Sequence, residues 1–62
     1  MSDFGLRRQQ RRSLRKARAT VAQRPDPSSV RRAVERIEAN PLLMLVGDEA
    51  VHELRRYLDE HP

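Results

Sequence analysis

The chain has 62 residues, 37% apolar and 35% charged, with a formal net charge of +4. That length allows one domain at most, and a chain so short buries only about 60% of its unfolded surface. It has no Cys, and its aromatics are limited to Phe4 and Tyr57, which excludes disulfides and thiolate metal sites and leaves a core of small volume.

Scaffolds of this size usually gain stability from a disulfide, a metal or another chain. Two His, His52 and His61, cannot complete a structural zinc site by themselves. An oligomer or a constitutive partner is therefore expected. Charge is distributed unevenly. Residues 1–25 hold eight basic residues and one acid, Asp3, whereas residues 26–62 hold five basic and eight acidic residues. A basic segment, 1–24, beside a near-neutral helical unit, 25–62, suggests a polyanion as partner. A GC-rich genome would account for twelve Arg against one Lys, but not for the scarcity of acids before residue 26.

No transmembrane segment is expected. The longest apolar run, Leu42 to Val46, falls far short of the roughly 20 residues that a spanning helix needs. Arg7-Arg8 and Arg11-Arg12 lack the apolar stretch of a twin-arginine signal. The Arg-rich start also fits a transit peptide in composition, but cleavage near residue 24 would leave only the short C-terminal unit. The expected location is cytoplasmic.

The first helix is predicted from about Ser2 to Gln23, with Ser2 as a possible N-cap and Asp3 in the first turn. Leu6, Gln10, Leu14, Ala17 and Val21 form one narrow seam at helical spacing. Arg7, Arg8, Arg11, Arg12, Arg15, Lys16 and Arg18 cover the opposite side. Like charges at i,i+3 and i,i+4 oppose an isolated helix, and Gly5 weakens it further. The helix is expected to fray until an anion or a neighbouring helix supports it.

Pro25 and Pro27 stop that helix. Asp26 is expected to cap the next one, with Pro27 at its first position. This second helix is predicted over about 27–39, with Val30, Ala33, Val34 and Ile37 on one face. Asn40-Pro41 ends it and can start another. Leu42 to Val46 fits either a buried strand or a short helix; the helix, 41–46, is preferred because a strand would have no partner within the chain. Gly47 is expected to break it and Asp48 to cap a last helix, 48–60. In that helix Ala50, Val51, Leu54, Tyr57, Leu58 and His61 share one face. The fold class expected is all-α, with three to four short helices: a basic N-terminal helix and a C-terminal hairpin-like unit, assembled as an oligomer.

Catalysis is not expected. The two Gly are far apart, so no phosphate loop forms, and there is neither an HExxH motif nor a Cys nucleophile. Ser28 and Ser29 fall in a helix first turn, and Ser13 lies at the edge of a basic helix. His52 is expected in solvent and His61 at the end of the apolar stripe. No cofactor or metal is implied.

The basic helix carries the functional content. An Arg-studded face can neutralise several closely spaced phosphates and release condensed counterions. Arg also offers planar paired donors to phosphate and to guanine edges. Residues 7–18, Arg-Arg-Gln-Gln-Arg-Arg-Ser-Leu-Arg-Lys-Ala-Arg, resemble the arginine-rich helices of short RNA-binding motifs. They are also similar to the basic region of zipper-type DNA-binding helices. The resemblance is compositional and implies contact with DNA or RNA without choosing between them. Helix-Gly-helix at Val46-Gly47-Asp48 resembles a helix-turn-helix turn, but Asp48, Glu49, Glu53, Asp59 and Glu60 would be repelled by phosphate.

The expected function is a small nucleic-acid-binding or nucleic-acid-associated accessory protein. The alternative is a protein-interaction module, such as an assembly factor, an inhibitor or a structural subunit, with the basic face against an acidic protein surface. An anionic membrane surface is a weaker third option. The seam of the first helix is too narrow to cover everything apolar in the second half. Leu42, Leu43, Leu45, Leu54, Tyr57 and Leu58 are therefore expected at a homodimer or partner interface.

Overall fold

A computed structural model of the chain describes residues 4–61. Ser2 and Asp3, expected to start the first helix, lie outside the described residues. Those residues form three helices and no strand: α1 (Phe4–Ala22), α2 (Pro27–Glu38) and α3 (Pro41–Glu60).

Local chemistry sets most of the boundaries. At the end of α1, Arg24 turns into the left-handed region, φ 52°. Its N–H then donates to the Val21 carbonyl at 3.0 Å, and that of Gln23 donates to Thr20 at 3.1 Å. These bonds satisfy carbonyls that the helix end would otherwise leave unpaired. Asp26 caps α2 by accepting from the Ser29 N–H at 3.3 Å, and Pro27 occupies the start of the helix. Asn40 caps α3 by accepting from the N–H groups of Leu42 and Leu43 at 3.0 and 3.3 Å.

Leu42 to Val46 is helical. The break expected at Gly47 is present as a kink: its φ of −111° and ψ of 19° are non-helical, and two helical stretches meet there within α3. Asn40 is the residue that caps α3, and the Asp48 carboxylate lies 3.9 Å from His52 Nε2. Gly47 is buried, and Ile37 of α2 lies across it.

The core joins Ala17 of α1, Val30 and Val34 of α2, and Ala50, Val51, Leu54 and Tyr57 of α3. Val21, Ile37, Met44 and Leu58 pack around it. α3 is the centre of the arrangement: α1 and α2 each pack on it and do not meet one another. Gln10, early in α1, donates from Nε2 to the Leu45 carbonyl at 2.9 Å, near the start of α3. Tyr57, near the end of α3, donates from its hydroxyl to the carbonyl of Pro25, just past the end of α1. α1 therefore runs in the same direction as α3, and α2 returns between their ends. The Cα trace measures 41 × 22 × 14 Å, an open slab and not a closed bundle.

Candidate nucleic-acid interface

The seam of α1 lies where its spacing puts it. Ala17 is buried, and Leu6, Gln10, Leu14 and Val21 are half-buried. The helix is held on α3 by small apolar contacts and by the Gln10 side chain, which bridges to the α3 backbone where an aliphatic residue would otherwise stand. Fixing one face leaves the other in water. Arg7, Arg8, Arg11, Arg12, Arg15, Lys16 and Arg18 are all exposed. Arg7, Arg8, Arg11, Arg12 and Arg15 together enclose a shallow concavity of about 480 Å³.

None of these seven cations forms an ion pair among the described residues. The pairs that do form lie elsewhere: Arg55 with Glu38, and His52 with Asp48 at 3.9 Å. Glu38 raises the Arg55 guanidinium above its ordinary pKa, first through the hydrogen bond and then through its charge. Among the described residues Glu38 is joined to Arg55 of α3, Asp48 lies near His52 of α3, and no described acid pairs with the α1 cations. The exposed face of α1 is thus a dense patch of positive charge.

The six apolar residues expected at an interface separate into two groups. Leu54 and Tyr57 are buried within the single chain, and Leu58 is half-buried against its core. Leu42, Leu43 and Leu45 are exposed by 73%, 42% and 55%. Tertiary packing of α1 and α2 thus covers the middle and end of α3 and leaves its start bare.

His52 is in solvent, three-quarters exposed. The His61 ring stacks at a tilt on Tyr57, with centroids 4.4 Å apart. No group of three or more His, Asp or Glu able to hold a metal occurs among the described residues. No helix among them is long and apolar enough to cross a membrane.

Two features were not read from the sequence. One is the Arg55–Glu38 pair, whose members are 17 residues apart and meet only because α2 folds back on α3. The other is a groove of about 410 Å³ between α1 and α2, floored by α3. Its one advance signal was the row of small residues along the edge of the α1 seam, Ser13 and Thr20 with Ala17 of the seam itself. Comparison with known proteins finds no matching family model, no matching curated protein and no matching solved structure.

Proposed function

We propose that this chain is a small nucleic-acid-binding or nucleic-acid-associated accessory protein that holds phosphates with the outer face of α1. One observation carries the reading: seven exposed cations share one helix face, no described acid pairs with them, and the opposite face of that helix is anchored to α3. A free arginine-rich helix must be ordered when it binds, at a cost in affinity. Packing on α3 meets part of that cost in advance. The role is one of binding, without catalysis or cofactor, and belongs in the cytoplasm. DNA and RNA both satisfy the phosphate chemistry.

The test is the salt dependence of binding to a duplex DNA and to an RNA stem-loop. Each phosphate neutralised contributes roughly −0.9 to the slope of log K against log salt on B-DNA. Replacing Arg8, Arg11, Arg12 and Arg15 with Gln should weaken binding and flatten that slope by up to about 3–4. An unchanged slope would remove α1 as the contact surface.

A second reading has its own observation. The exposed Leu42, Leu43 and Leu45 favour a protein contact, with another copy or with a constitutive partner. Under this reading the basic face would meet an acidic protein surface, and binding through the leucines would depend little on salt.

A further inference from the structure

We propose that the groove between α1 and α2 is a socket for the start of α3 of a second copy, so that copies join head to tail. The socket exists because α1 and α2 both grip α3 and leave a gap between themselves. Its floor is Leu43, Gly47 and Ala50, and its walls include Lys16, Thr20 and Ala33. Its lining is mostly apolar or small, and Lys16 is the only charged residue among those that line it. Helical spacing sets Arg12 one turn before Lys16, and Arg32 and Arg36 one turn beyond the α2 wall residues Ser29 and Ala33, and all three are exposed. An occupant that suits this groove is a helix with apolar side chains for the floor and acids for the rim.

The chain itself presents such a surface. Leu42 and Leu45 are the two most exposed large apolar side chains described, and they stand one turn apart. Asp48 and Glu49 follow Leu45 by three and four residues, and both are exposed. The surface thus passes from leucine to carboxylate within about two turns of chain, across the kink at Gly47. Its charge is opposite to that of the socket rim, and the arginines there match carboxylates geometrically.

The knob and the socket are different surfaces. Around α3, Leu42 lies about 100° and Leu45 about 160° from Leu43 of the socket floor. A contact between unlike surfaces is heterologous, so copies add in one direction instead of closing as a symmetric pair. Each added copy would set another basic α1 face in line. The proposal does not depend on the nucleic-acid reading, because the knob and the socket floor are apolar and none of the seven α1 cations except Arg12 and Lys16 borders them.

The test uses three proteins: the wild-type chain, a knob variant (L42S/L45S) and a socket variant (A33W). All changed residues are exposed, so each variant should keep the wild-type helical circular dichroism. Thr20→Trp on the opposite wall is the substitute if A33W does not. By sedimentation at tens to hundreds of micromolar, the wild-type mass should climb with concentration past two copies. Each variant alone should stay monomeric. Mixed, they should form a species of twice the monomer mass that grows no further, because one intact knob meets one intact socket. A wild-type chain that stays monomeric throughout, or variants that fail to combine, would overturn the proposal. A wild-type chain that assembles but binds neither the duplex DNA nor the RNA stem-loop would overturn the other reading and leave this one standing.

Discussion

The Tyr57 hydroxyl donates a 2.6 Å hydrogen bond to the carbonyl of Pro25, 32 residues earlier. The ring of Tyr57 is buried in the core while its tip reaches the linker. One side chain thus fills space beneath α1 and α2 and fastens the segment that joins them. Its bond satisfies a carbonyl whose own residue, a proline, has no N–H to offer the fold. Tyr57→Phe keeps the ring and loses the bond. It should destabilise the chain by about 0.5–1.5 kcal/mol, a fall in melting temperature of several degrees. Tyr57→Ala also removes the ring and should cost about 3–5 kcal/mol. Thermal unfolding followed by circular dichroism separates the two effects. Equal losses from both variants would show that the bond, not the ring, dominates.

Under the proposed function, the α1 cations set binding against stability. Arg8-Arg12, Arg11-Arg15, Arg8-Arg11 and Arg12-Arg15 are like-charge pairs at helical spacing, each unfavourable by about 0.2–0.5 kcal/mol. The variant with Gln at positions 8, 11, 12 and 15 should therefore melt higher than wild type at low salt, by about 1 kcal/mol in stability. The gap should narrow as salt rises and screens the repulsion. The same variant should bind nucleic acid less well. A lower melting temperature would mean that these arginine stems support the fold through contacts other than charge.

Arg24 occupies the left-handed region that ends α1. A side chain with Cβ pays roughly 1–2 kcal/mol there, which glycine avoids. Arg24→Gly should leave the fold intact and stabilise it by up to about 1 kcal/mol, less than the full strain because glycine also loosens the unfolded chain. Denaturant unfolding with an unchanged slope and a raised midpoint is the expected result.

Gly47 sits at a kink, yet its backbone does not require glycine, since φ is −111°. A Cβ added there would meet Ile37 Cγ2 at 3.6 Å, an ordinary contact. Gly47→Ala should therefore be tolerated and should stabilise the chain by about 0.4–1 kcal/mol, because alanine leaves the unfolded chain less conformational freedom to lose. Marked destabilisation would show that Ile37 cannot accommodate a methyl group, and that the glycine is kept for close packing.

The local features were legible in the sequence. Asp26 and Asn40 cap their helices because each reaches an N–H only two or three residues ahead, a relationship that spacing alone specifies. The seam of α1 and the sorting of its seven cations onto the other face follow from 3.6-residue periodicity in the same way. The helical state of Leu42 to Val46 was also favoured by the absence of a strand partner.

Relations between helices were decided by the tertiary structure. The break read at Gly47 is there as a kink with non-helical φ and ψ, but only the tertiary structure shows Ile37 packed beside it. Leu54 and Leu42 looked alike as apolar positions. Leu54 is buried under the core while Leu42 is exposed, because α1 and α2 cover the middle of α3 and not its start. The groove depends on the same fact. Hydrophobic periodicity tells which face of a helix seeks cover, but not which neighbour supplies it or how far that cover extends. Here both α1 and α2 spend their apolar faces on α3, and the space between them is set by that shared support.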